Sequence, residues 1–278
     1  MLADLASRVT LLVRLEAGTL SYPRAIRRPA ILSLPRRWAN VIRGSGRTPW
    51  GSSRLHYETR FEPILMHVHQ RLAISVVDAL NEPSSRPIRN ILDIGANVGQ
   101  FTVGMLALDP QLRVVSFEPN PSTFPILARN AAQFPAWEVV DAGVSDHSGT
   151  AHLHYLPGRS GQGSLEPANA SRSVWNAHDS DVRSTPVRLV TGDWINSHYS
   201  SEWDLIKIDV EGHERSVLAG IANLRWRYLL IEVSPGRGGI DDEANLRRLL
   251  AEQGVEIEAL TVIESSATGK DILVHRRV

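Results

Sequence analysis

Ile91-Leu-Asp-Ile-Gly-Ala-Asn-Val-Gly-Gln-Phe-Thr102 joins a short apolar run to two glycines four residues apart and then to a second apolar run. Residues 91–94 have the length and composition of a strand buried in a parallel sheet. Gly95 and Gly99 frame a tight turn, and a helix is expected from about Val98. A strand, a glycine turn and a helix N-terminus bring backbone N–H groups close to a nucleotide-like ligand.

Outward from this stretch the pattern alternates. Helices are predicted over 98–108, 122–133, 213–220 and 241–253, the last stopped by Gly254. Strands are predicted over 91–94, 113–117, 137–140, 203–209 and 226–233. Such alternation implies a doubly wound α/β domain with a mostly parallel sheet. Residues 255–262 and 271–275 read as a closing hairpin, which predicts an antiparallel edge strand. Residues 151–156 and 187–190 read as an extra strand pair. Between them, 157–186 is rich in Gly, Ser, Asn and Asp and is expected to be a lid or binding loop.

Upstream, Thr59 and Glu62 form a capping box that opens a helix reaching about Asn81. The prolines and glycines of 19–56 predict irregular backbone, with one helical turn over 38–42. Helical spacing of Leu2, Leu5, Val9 and Leu12 predicts a short amphipathic helix. The division expected is therefore a helical and irregular N-terminal extension, 1–58, and one α/β domain, 59–278.

Zero formal net charge hides an asymmetry: residues 1–60 carry eleven arginines against Asp4, Glu16 and Glu58. Such an arm suits an acidic surface, and peripheral membrane contact stays open. The arginines are not interleaved with aromatics, so no nucleic-acid partner is expected. The chain has no cysteine, which excludes disulfides and thiolate-held metals. No apolar run reaches membrane-spanning length, and Arg8 and Arg14 interrupt any leader-like segment. A cytoplasmic protein is the expectation.

Three ligands compete for the glycine turn. A phosphate-binding loop needs a Gly-Lys-Ser/Thr ending, and no lysine is present there. A dinucleotide turn needs a central glycine where Asn97 stands. S-adenosylmethionine has a ribose diol and an amino-acid tail but no phosphate. It suits an acid before the turn, Asp93, and one closing the next strand, Glu118, which can accept from both ribose hydroxyls. Asp141, closing the third strand, is placed for the adenine amino group.

Asp93-Ile-Gly-Ala-Asn-Val-Gly-Gln-Phe-Thr102, Phe117-Glu-Pro-Asn-Pro121 and Ile206-Lys-Ile-Asp-Val-Glu-Gly-His-Glu214 resemble the three signature blocks of the FkbM-type methyltransferases. Weaker agreement comes from 141–149, 163–165 and 191–195, so the resemblance covers about residues 90–235. It implies a class I, Rossmann-like methyltransferase fold whose seven-stranded sheet has its last strand antiparallel. It also implies a cofactor site lined by Asp93, Gly95, Asn97, Glu118, Asn120 and Asp141, with close backbone approach at Gly95 and Gly99 making room for the cofactor. The acceptor it implies is a hydroxyl on a sugar, glycolipid or secondary-metabolite scaffold.

Asp209, Glu211 and His213 follow the fourth core strand, where open α/β sheets place their ligands, and are the catalytic candidates. His213 has the proton affinity of a base at neutral pH, while Asp209 could act as base or orienting acceptor. Lys207 is expected to pair with a carboxylate such as Glu232. No metal site is assigned. N-methylation of a small amine, and a non-catalytic binding protein using its arginine arm, remain the alternatives.

Overall fold

The computed structural model describes residues 44–47, 54–57, 72–73, 75–76, 80, 86–157, 163–166, 169, 182–265 and 269–277. The helix expected over 1–18 and the turn over 38–42 lie outside the described residues. Within 19–56, where irregular backbone was expected, Gly44–Arg47 (β1) and Arg54–Tyr57 (β2) form an antiparallel pair.

The central sheet is built from Asn90–Ile94 (β3), Arg113–Phe117 (β4), Trp137–Val140 (β5), Glu202–Ile208 (β9), Arg225–Val233 (β10), Ile257–Ser265 (β11) and Lys270–Arg276 (β12). Their order is β11-β12-β10-β9-β3-β4-β5. All pairings from β10 across to β5 are parallel, and β12 runs antiparallel to both β10 and β11. The reversed strand is thus one place in from the rim, and β11 is the edge. Because strand order turns outward in opposite directions from β3 and β9, the carboxyl ends of those two strands flank a topological switch point.

Alternation along each strand divides the apolar side chains between two cores. Leu92, Ile94, Ile206, Ile208, Leu229 and Ile231 face one layer, while Ile91, Val114, Leu205, Tyr228 and Leu230 face the other. Helices Gln100–Leu108 (α1) and Phe124–Ala131 (α2) cover the second face through Phe101, Met105 and Leu127. Leu72, Val76 and Leu80, at described helical positions of the helix predicted upstream, are buried in the same layer. Helices Gly192–His198 (α3), Glu214–Gly220 (α4) and Glu243–Glu252 (α5) cover the first through Ile195, Val217 and Leu246. The Asp242 carboxylate caps α5 by accepting from Asn245 N–H at 2.7 Å.

A small second sheet, β6-β8-β7, is made of Gly143–Val144 (β6), Gly149–Tyr155 (β7) and Arg183–Val190 (β8). It carries the expected extra strand pair. From the loop between them, Ser164 returns to pair with His154.

Candidate active site

The turn after β3 is shaped by contact with the turn after β9. Gly95 has φ +77°, and a Cβ there would fall 1.9 Å from the Asp209 carbonyl oxygen. The Gly95 and Ala96 N–H groups donate to the Phe117 carbonyl at 3.0 Å, which ties the turn to the end of β4. Asn97 takes the left-handed region at φ 54°, a conformation asparagine tolerates better than most residues. Gly99 is needed for a different reason from Gly95: its Cβ would meet the Trp137 ring at 2.4 Å, on the packed side of α1.

Beneath the turn sits a buried charge group. Lys207, on β9, faces Asp93, on β3, in register. Its Nζ donates to the Gly95 carbonyl at 2.8 Å and lies 3.3 Å from Asp93 Oδ1 and 3.4 Å from Asp209 Oδ2. Burial works to lower the Lys207 ammonium's proton affinity, but the two flanking aspartates outweigh it and hold the group above its usual range. The expected pairing with Glu232 is corrected accordingly. Asp93 is fully buried, accepts from Thr102 Oγ1 at 2.6 Å, and braces the turn from behind.

Above the carboxyl ends of β3, β4 and β9 opens a cavity of about 140 Å³. Gly95, Asn97, Glu118, Asp209, Glu211 and His213 all line it. Glu118 accepts from Asn97 N–H and Asn120 N–H, each at 2.8 Å. Burial pushes its carboxyl up to about 7 against the pull of those two N–H groups and of Lys207. Asn120 is buried and does not line the cavity; its Oδ1 accepts from Ser122. Asp141 is exposed and lies outside the cavity, because the chain turns after β5 and presents Ala142, Gly143 and Val144 to it instead. Gly99 and Asp93 are likewise set behind the wall.

Glu211 also has a left-handed backbone, φ 53°, and its carboxylate pairs with Arg237. Its carbonyl accepts from Ser164 Oγ at 2.8 Å and Asn169 Nδ2 at 3.1 Å, and Asn169 Nδ2 also donates to the Arg237 carbonyl at 2.6 Å. The described residues of the expected lid loop therefore close down on this turn. Single carboxylate oxygens of Asp209, Glu211 and Glu232 lie within 4.8 Å of one another. Lys207 and Arg237 already answer two of those charges, and Glu232 is held well above the usual carboxylate range by burial and by neighbouring acids.

His213 precedes α4, half-buried, with Nε2 3.0 Å from Ser145 Oγ. Burial lowers its proton affinity, opposed by Glu166 and Asp146. Sequence reasoning did not reach Ser145, Asn169 or Arg237. Their roles depend on which loops meet over the strand ends, and nothing in their local pattern signals it.

A seven-stranded, mostly parallel sheet with one reversed strand, a glycine turn after its first core strand and a glutamate ending the next define a class I methyltransferase fold. Residues 93–257 match the family described as Methyltransferase FkbM domain, and the chain belongs to it. It is an S-adenosylmethionine-dependent methyltransferase. Among its relatives, Methyltransferase sdnD of Sordaria araneosa is 29% identical over 65% of this chain and 77% of its own length. The 31-O-demethyl-FK506 methyltransferase FkbM of Streptomyces tacrolimicus is 29% identical over 59% and 72%. Hexuronic acid methyltransferase AglP of Haloferax volcanii is 28% identical over 66% and 69%. A crystal structure of magnesium protoporphyrin IX methyltransferase (ChlM) from Synechocystis PCC 6803 with bound SAM is similar at 14% identity and TM-score 0.48, over 82% of this chain and 88% of that one. Among the described residues, no helix is long and apolar enough to cross a membrane.

Proposed function

We propose that this chain methylates a hydroxyl oxygen on a sugar or a sugar-bearing or secondary-metabolite scaffold, with His213 as the base. The observation that carries the reading is the meeting, on one cavity wall, of the cofactor-type turn (Gly95, Asn97, Glu118) with Asp209 and His213. The names of the FkbM and AglP relatives, which specify 31-O-demethyl-FK506 and a hexuronic acid, support this acceptor class.

The wall suits S-adenosylmethionine. Asn97, on that wall, keeps its Oδ1 buried without a hydrogen-bond partner among the described residues, and Glu118 presents a carboxylate suited to a ribose diol. The cofactor supplies a methyl group already activated on a sulfonium sulfur, so the protein's task is alignment and removal of the acceptor's proton.

Two of the three candidates are less suited to that removal. Asp209 is already engaged by the Lys207 ammonium, 3.4 Å from its Oδ2; it is an orienting acceptor for the hydroxyl. Glu211 is held by Arg237 and shapes the turn. His213, neutral and half-buried, accepts the proton, an aid worth roughly 10²–10⁴-fold. Asp141 lies outside the cavity, and the adenine packs instead against Ala142 and Gly143, which line it.

The test is transfer of a labelled methyl group from S-adenosylmethionine to a panel of glycosides and uronosides. A methyl ether is expected. Label recovered on an amine from a matched aminosugar panel, with none on oxygen, would replace the reading with N-methylation.

A further inference from the structure

The Asp146 carboxylate lies beside the Ser145 hydroxyl, and that hydroxyl beside His213, in an unbroken chain. Ser145 is fully buried, and its Oγ is 3.0 Å from Asp146 Oδ1 and 3.0 Å from His213 Nε2. Asp146 is held below the usual carboxylate range, first by its hydrogen bond with His147 at 2.7 Å and then by Ser145 itself. An ionised carboxylate only accepts, so the single Ser145 proton goes to Asp146. The same oxygen has lone pairs to spare and no second proton. It can therefore meet His213 Nε2 at that distance only by accepting an N–H from it.

The geometry points to Ser145 and Asp146 as positioning residues that fix His213 in its Nε2–H tautomer, leaving Nδ1 as the ring's sole proton acceptor. This rests on the reading of His213 as the base. In the proton transfer the acceptor's O–H bond breaks and an N–H bond forms at Nδ1. The ring becomes an imidazolium and later gives the proton to bulk water. Ser145 keeps its own proton throughout, and Asp146 stays ionised. The charged and titratable groups facing the ring are Asp146 and His147 from the loop after β6 and Glu166 from the lid segment. The histidine switch between tautomers is thus decided by a residue one step removed from the ring, as in sites where a second hydrogen bond chooses the reactive nitrogen.

Nitrogen-15 NMR of the full chain carrying labelled histidine reads this directly, with His213 assigned by the signals lost in His213→Gln. The expected state near neutral pH is Nε2–H with a bare Nδ1. Asp146 is exposed, so Asp146→Ala leaves the fold intact. It frees the Ser145 proton to turn to Nε2 and is expected to move the ring to the Nδ1–H tautomer. Ser145→Ala should give a mixture, and Ser145→Thr should restore the original state. An Nδ1–H ring in the unaltered protein, or a ring indifferent to Asp146→Ala, overturns the assignment. Calorimetric titration with S-adenosylhomocysteine runs alongside. Binding to both the unaltered protein and Asp146→Ala with similar affinity is expected. No binding to the unaltered protein would instead defeat methyl transfer itself, an outcome separate from the tautomer result.

Discussion

Lys207 and Asp93 face each other across the parallel register of β9 and β3, both essentially inaccessible, with Nζ 3.3 Å from Oδ1. The same ammonium holds the Gly95 carbonyl and reaches Asp209, so one cation joins the turn after β3 to the turn after β9. Lys207→Met is expected to strand Asp93 without its partner and to cost about 3–5 kcal/mol, read as a lowered urea midpoint. Adding Asp93→Asn should recover part of that loss, because the two residues form one coupled unit.

Gly95 and Gly254 both have positive φ, at 77° and 71°, but only Gly95 has backbone where a Cβ would go. Gly254→Ala should cost about 1–2 kcal/mol from conformation alone. Gly95→Ala must also push Asp209 away, so it should cost more and abolish S-adenosylhomocysteine binding. Parallel thermal melts and calorimetry compare the two.

Burial pushes the Glu118 carboxyl up to about 7, and the ribose-diol role proposed for it requires the carboxylate. Cofactor affinity is therefore expected to rise as pH climbs through 7 and level off above it. Glu118→Gln should bind more weakly and lose most of that dependence. Titrations with S-adenosylhomocysteine at pH 6 and pH 8 check it.

Stability should run the other way. Glu118 and Glu232 both hold their protons more tightly in the folded chain than the ordinary glutamate value of 4.5 allows in the unfolded one. Above that value the folded state binds the more protons, so these groups make stability fall as pH rises toward and through 7. Glu232→Gln should flatten the fall in chemical denaturation series between pH 5 and pH 8.

Much of this was legible in the sequence because the signals were local. The buried run 91–94, the glycine spacing and the apolar periods of α1 and α5 each depend on neighbours along the chain. What was not legible depends on register and on loop meeting. Lys207 could have met Glu232 or Asp93, and only the level of β9 against β3 decides. The closing hairpin read as an edge, yet β12 slots between β10 and β11. Asp141 ends its strand just as Glu118 does, but the chain turns there and leaves it in solvent. The bond from Ser145 to His213 spans 68 residues, beyond any local pattern.

The central claim is that His213 removes the proton of an acceptor hydroxyl at a cofactor site it shares with Glu118. The most direct measurement is single-turnover methyl transfer from labelled S-adenosylmethionine to a glycoside acceptor found by the panel, in the unaltered protein and in His213→Gln. The expected result is a methyl ether whose rate of formation drops by roughly 10²-fold or more in the variant, while S-adenosylhomocysteine affinity stays within a few-fold. An equal rate in the two proteins, with cofactor binding intact, would contradict it.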